Sequence, residues 1–479
     1  VAGDYVIGID VGTGGARAVA VDARGRVLAS AQGSLPPTVS ARAGWAEQEP
    51  EDWWRVLGGV TRECFGAASR SGGAPAAVCV DSTSGTVVAV NEAGLPARPA
   101  IMYNDARSSA EAEELNVAGA DVARKMGYRF NASYSLPKAL WLLRHDAARC
   151  AGTRFLSPAE HLGERLCGVA AADETNALKM GYDLIDGRWP EWPAAVGIDR
   201  ARLPRVCRSG EIIGAVTPAA AAETGLPEGL PVAAGPTDGV AGFYAAGAVQ
   251  PGEAATTLGT TLVVKSVSRG IVRDPAGRIY CHRHAEGHWL PGGASNCGCD
   301  YATVHFGGAS LDALTAAARG FLPSEKFCYP LPRRGERFPV VHPQAESFLS
   351  TAPRDAAEHF AMYLQGVAFV ERWAYETIRD LGGTSGGMVY TSGGGSRSEL
   401  WMQLRANVMG RPVARTGAPE SAFGAAALAA SGTLHRGVTA AARAMVRVER
   451  VFEPESPQIA RYDELYAAFR RECAARGLA

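Results

Sequence analysis

Near its start the chain reads "YVIGID", a short apolar run closed by Asp10 and bounded by turn residues, a pattern that predicts a buried strand over Tyr5–Asp10. The glycine turn "VGTGG" follows. Then "ARAVAVD" alternates as a second strand, and "ARGRVLAS" reads as a turn and a third strand. The same order returns in "EAATTLGTTLVVKSVS", where a strand leads to a tip at Gly259–Thr261 and a strand comes back. Two such hairpins about half a chain apart predict duplicated halves, 1–249 and 250–479, with the boundary around "AVQPGEA".

Helical periodicity fills the intervals. "PEDWWRVLGGVTRECFGAA" follows a proline and carries acids in its first turn, as a helix start should. "DAAEHFAMYLQGVAFVERWAYETIRDLGG" places Phe360, Tyr363, Val367, Val370, Ala374, Ile378 and Leu381 close to a 3.6-residue period, and Gly382 and Gly383 end it. "AAVCVDS" and "TVVAVN" read as strands, and "GMVYTSGGGSRSELWMQLRANVMG" as strand, glycine loop and helix. Strands interleaved with helices predict an α/β class.

With 479 residues, 47% hydrophobic and 20% charged, the chain has room for two large domains of an ordinary globular protein. A formal net charge of −1 offers no phosphate-backbone footprint, so nucleic acid is not an expected partner. No apolar run approaches the roughly 18 residues that span a membrane, and no signal peptide is expected. Ten cysteines are too sparse for a disulfide scaffold, and a cytoplasmic location is expected. His282, His284, His288, Cys297 and Cys299, with Cys281, are zinc-ligand types. Their spacing matches no standard zinc pattern, and satisfied side chains are the expected reading.

Candidate chemistry gathers on three glycine loops that each follow a strand: Gly12-Thr13-Gly14-Gly15, Gly259-Thr260-Thr261 and Gly393-Gly394-Gly395. Glycine lets backbone amides approach phosphate oxygens. A plain tight turn explains one such loop, but three in matching halves point to a nucleotide. The P-loop, the dinucleotide fingerprint and the GxSxG elbow are all missing. One further acid stands out. Asp238 is the single charge in "GPTDGVAGFYAAGAV", either a helix cap or a group held for chemistry.

"IGIDVGTGGARAVAVD" resembles the first phosphate motif of the actin/hexokinase/Hsp70 superfamily. "GWAEQEPEDWW", "GPTDGVAGFYAAGAV", "TTLGTTLVVK", "PRRGERFP" and "TSGGGSRSELWMQLRANVMGRPV" are similar, in order, to segments of the FGGY carbohydrate kinases. The resemblance implies two actin-like (ribonuclease H-like) domains flanking a catalytic cleft that closes on its substrates, with sugar mainly on the first and ATP mainly on the second. It implies Asp238 as catalytic base, Asp10 as organiser of Mg²⁺, and Gly12, Thr13 and Gly14 facing the γ-phosphate. Gly259 and Thr260 would form the second phosphate loop. Gly394 and Gly395 would form the adenosine loop, with Trp401 and Asn407 on the nucleotide pocket.

Xylulokinases of this family typically carry Gln-Met-His-Gly at the strand end where this chain has Ser82, Thr83, Ser84 and Gly85, and glycerol kinases carry Arg-Glu. "DSTSGT", "MYNDARS" and "GGASN" resemble instead the D-ribulokinase group, which implies Asp10, Thr13, Ser84 and Asp238 as sugar contacts. Asp105 lies near the family's sugar pocket or caps a helix. "SNCGCD" carries two cysteines where that group usually has Thr and Gly. The expectation is an ATP-dependent D-ribulokinase, alternatively a xylulokinase or another pentulose or pentitol kinase, or a non-catalytic sugar sensor. It takes a small-molecule sugar and ATP and allows a homodimer.

Overall fold

The computed structural model describes residues 3–417 and 420–479. They form two compact units, and neither is one continuous segment. The chain leaves the first unit after Ala245, close to the expected boundary at 249, but 282–287 and 420–446 also belong to that unit. By contacts, then, segments from beyond residue 249 return to the first half.

In the first unit the sheet runs, in spatial order, Val27–Ser34, Gly15–Asp22, Tyr5–Val11, Pro75–Ser82, Pro231–Ala233 and Ile212–Ala215. The first three strands form an antiparallel meander. The next two run parallel to Tyr5–Val11, and the last is antiparallel. The second sheet has seven strands, in the order Tyr280–Arg283, Trp289–Ser295, Leu262–Ser266, Ala254–Leu258, Val389–Ser392, Val413–Thr416 and Val448–Phe452, and its last six correspond to the six of the first. The directions repeat: an antiparallel meander, two parallel strands, an antiparallel edge. Each half has the actin-like order, so the two hairpins expected to match do occupy matching places.

Helix Pro50–Ala68 begins on Pro50 with Glu51 and Asp52 in its first turn. It buries Trp53, Leu57, Val60 and Cys64, one helical face, in the same core as Ala18, Ala20 and Ala31 of the meander. Helix Ala356–Asp380 is capped by Asp355, which accepts from the Glu358 amide at 2.8 Å. Its periodic residues from Phe360 to Ile378 are buried in the core of the second unit.

Helix Ser421–Ser431 is the returning segment of the first unit. Residues 422–430 are all buried. Its small residues let it lie directly on the sheet: a Cβ on Gly8 would overlap the Ala422 carbonyl, and one on Gly424 would overlap Ala241.

Candidate functional site

The parallel strands of the first unit end at one edge, where ligands of open α/β sheets bind. Asp10 stands opposite Asp81, and Val11 opposite Ser82. Ser82 in turn bridges to Thr237, the residue before Asp238. Three adjacent strand ends thus bring Asp10, Asp81 and Asp238 into a row.

Asp81 is fully buried, and neither carboxyl oxygen has an ordinary hydrogen-bond partner. Burial, then the charge of Asp10 and Asp238, hold it well above the usual carboxylate range. Burial also raises Asp10, and the Asp81 carboxyl and Arg17 oppose that rise. The two acids titrate as a coupled pair, and burial favours a proton on it. Asp81 escaped the sequence reading because it is one more residue of an apolar strand; its place opposite Asp10 is set by register.

Asp238 is the first residue of helix Asp238–Ala246, and its Oδ1 accepts from the Gly239 amide at 2.6 Å. Two features hold it. The Thr237 amide donates to Thr175 Oγ1 at 3.0 Å, and Ser421 Oγ donates to the Asp238 carbonyl at 3.3 Å. Thr175 is fixed by Asp173, a buried carboxylate that also accepts from Ser209 and Asn176. Asn176 reaches back to the Gly235 carbonyl at 3.3 Å. "ADETN" was thus a missed part of this site. So was Lys179: burial lowers it to about 8 against the opposing charge of Asp238, and its ammonium lies 4.1 Å from the Tyr134 ring centre.

Ser82 and Ser84 carry buried hydroxyls without hydrogen-bond partners, and Thr83 and Thr86 bond each other at 2.9 Å. Gly85 has φ +85°, and a side chain there would collide with the Ser133 carbonyl. Asp105, expected near the sugar or as a helix cap, has partners of its own. It takes the Ala46 amide at 2.5 Å and both Nε and Nη2 of Arg107, whose guanidinium lies 3.6 Å from the Trp45 ring centre. Its oxygens anchor the Trp45 segment.

The first hairpin closes with the Gly12 amide on the Gly15 carbonyl. Gln48, from "GWAEQEP", donates through Nε2 to the Thr13 carbonyl at 2.8 Å, and its Oε1 accepts from Trp53 Nε1 at 2.9 Å. The Leu35 amide takes the Gly14 carbonyl. With these carbonyls engaged, the tip can present amides to an anion.

The second unit repeats the device: the Gly259 amide bonds the Thr261 carbonyl, while the Cys299 and Asp300 amides take the Gly259 and Thr260 carbonyls. Beside it, Gly393 (φ +88°) and Gly395 pack on Leu258, where side chains would clash. A 3₁₀ turn, Gly394–Arg397, follows, and the helix expected to open directly on the glycines starts at Glu399, capped by Ser398. A cavity of about 790 Å³ is lined by Gly394, Gly395, Phe306, Tyr363 and Trp401, a size that takes a nucleoside. Trp401 also donates to the Leu364 carbonyl at 2.9 Å. Asn407 does not line it: it faces a separate polar cavity, its amide bonded to Glu455 and Gln403.

Among the described residues no group of three or more His, Cys, Asp or Glu side chains is placed to hold a metal ion, and all ten cysteines are free. Also among the described residues, no helix is long and apolar enough to cross a membrane.

Residues 5–244 match the N-terminal domain of the FGGY family of carbohydrate kinases, and residues 254–433 its C-terminal domain. The xylulose kinase of Streptomyces coelicolor is 33% identical over 89% of this chain and 88% of its own. That of Escherichia coli is 28% identical over 97% of this chain and 98% of its own. The crystal structure of xylulose kinase from Rhodospirillum rubrum superposes with a TM-score of 0.88 at 28% identity, covering 98% of each chain. Plasmodium falciparum glycerol kinase with ADP shares the fold, with a TM-score of 0.85 at 16% identity over 98% of each chain. With a row of acids at the strand ends of one half, a nucleoside-sized cavity beside glycine turns in the other, and both domain models matched, the chain belongs to the FGGY family of carbohydrate kinases and is a sugar phosphotransferase.

Proposed function

We propose that this kinase transfers the γ-phosphoryl group of ATP to a hydroxyl of a ketopentose, D-ribulose foremost, giving the 5-phosphate. The observation that supports a polyol substrate is the strand end beside Asp238, where Ser82 and Ser84 carry buried hydroxyls without hydrogen-bond partners and Asp81 is a buried acid facing Asp10. Buried polar atoms left unmatched cost stability unless a ligand completes them, and hydroxyls both donate to and accept from a polyol. Asp238 accepts the proton of the attacking sugar hydroxyl as its oxygen bonds to the γ-phosphorus and the bond to the β-phosphate oxygen breaks, releasing ADP. Asp10, part-exposed at a strand end, suits Mg²⁺, which takes one or two carboxylates together with phosphate oxygens and waters. When bound, that ion supplies charge neutralisation on the phosphates. Each glycine hairpin, Gly12–Gly14 and Gly259–Thr261, offers backbone amides suited to phosphate charge, and the adenosine lies against Gly394, Gly395 and Trp401.

Xylulose phosphorylation is the second reading, favoured by the names of the relatives. Coupled ADP release across ketopentoses and pentitols decides between them: D-ribulose should rank first by kcat/KM, and a clear preference for D-xylulose overturns the choice. Asp238→Asn should lower kcat by about 10²–10⁴ and leave ATP binding intact. Unchanged turnover removes Asp238 from the chemistry, and no turnover with any sugar in the native enzyme favours the sensor.

A further inference from the structure

Two motifs of the sequence have no part in the chemistry just described, "GWAEQEP" and "PRRGERFP". The first contributes Gln48, which braces the Gly12–Gly14 tip from behind. The second contributes Glu336, only 3% exposed. Its carboxylate accepts from Ser295 Oγ at 2.7 Å, the Asn296 amide at 2.8 Å, Tyr329 Oη at 3.0 Å and the Arg337 amide at 2.9 Å. Cys297 Sγ adds a longer contact at 3.5 Å. Asn296 Nδ2 ties the same two segments together by donating to the Gly335 carbonyl at 2.8 Å.

The segment so gathered leads straight to the second hairpin. Ser295 pairs with Leu262, the first residue of the return strand. Gly298 packs backbone to backbone on Thr260 and Thr261, with no space for a side chain. Cys299 and Asp300 then donate their amides to the Gly259 and Thr260 carbonyls, at 2.8 and 3.3 Å. A tip that receives phosphate must aim N–H groups at it and keep its carbonyls turned aside. We propose that Glu336 is the positioning residue of the second phosphate hairpin: it fixes Ser295–Asp300, and through the Cys299 and Asp300 amides it holds the Gly259 and Thr260 carbonyls off the phosphate face. This rests on reading Gly259–Thr261 as a phosphate loop.

The test compares ATP with adenosine, which lacks the phosphates and needs only the neighbouring cavity, where Cys299 is one wall residue among many. Calorimetry on the full-length native enzyme comes first, and failure to bind ATP there defeats the nucleotide reading itself and this one with it. In Glu336→Ala, ATP affinity should fall about tenfold or more, since several charge-assisted hydrogen bonds are lost, with a clearly smaller fall for adenosine, which touches this segment only at Cys299, and the sugar KM within about twofold. Glu336→Gln should restore most of the ATP affinity, because its carbonyl can take the two backbone amides while the Ser295 and Tyr329 hydroxyls turn to accept. Tyr329→Phe removes one bond and should weaken ATP about threefold, and it carries the test if the alanine variant does not fold. ATP and adenosine weakening by the same factor, or ATP affinity unchanged in these variants, overturns the proposal.

Discussion

A carboxylate taken out of water finds a cation, finds enough N–H and O–H donors, or keeps its proton. Asp105 has the Arg107 guanidinium. Asp173 has the donors of Ser209, Thr175 and Asn176. Glu160, buried in the capping box of helix Pro158–Cys167, takes the third course: burial pushes it up to about 7, despite its bond from the Ser157 amide. Its pKa is higher folded than unfolded, so its contribution is complete below about 4.5 and is lost as pH rises through 7. Between pH 5 and 8 this group should cost the native enzyme up to about 3 kcal/mol. Glu160→Gln keeps an acceptor for Ser157 and has no charge to bury. Urea denaturation at both pH values should show the variant gaining on the native chain at pH 8, and an equal difference at the two pH values excludes it. At this scale the sequence spoke unevenly. Asp238 stood out because glycines and small apolar residues surround it, and Asp10 through the family motif it belongs to. Asp81 and Asp173 did not, because what defines them is a register partner and a set of donors from distant segments.

Strands, long helices and glycine turns followed from period and punctuation alone, since each reports only its own neighbours. What holds the turns did not. Gln48 lies 35 residues from Thr13, and nothing local marks its amide as the donor to that carbonyl. Likewise the glycines at 393–395 looked like a helix opening, whereas their tight packing on Leu258 makes a 3₁₀ turn and leaves the cap to Ser398. Gln48→Leu should keep the volume of the side chain and lose both the bond to Thr13 and the acceptor for Trp53. On the proposal that the first hairpin faces the γ-phosphate, its freedom to turn a carbonyl that way should lower kcat about tenfold, keep the sugar KM within about twofold and move melting only a few degrees. Steady-state kinetics with saturating ATP measure this, and an unaltered kcat means the hairpin needs no brace.

The duplicated sheet was legible because the meander and its glycine tip occur twice; the returning helix was not. "SAFGAAALAAS" has no amphipathic stripe, and a helix apolar on every side belongs inside a unit, with no periodicity to say which one. Contact with Gly8 and Ala241 assigns it to the first unit, about 180 residues beyond the point where the chain left it. Residues 1–249 alone therefore lack the cover over Tyr5–Val11 and Pro75–Ser82, the strands that carry Asp10 and Asp81. Expressed by themselves they should be cleaved rapidly by protease and lack the near-ultraviolet signal of packed tryptophans. Joining residues 420–446 to them through a flexible linker should restore protection. Gly8→Ala in the full chain should reproduce the damage, because its new methyl group would enter the Ala422 backbone; overpacking of this kind costs about 1–3 kcal/mol or more. A fragment 1–249 as protease-resistant as the same region in the whole protein would show that the helix covers the sheet without being needed to form it.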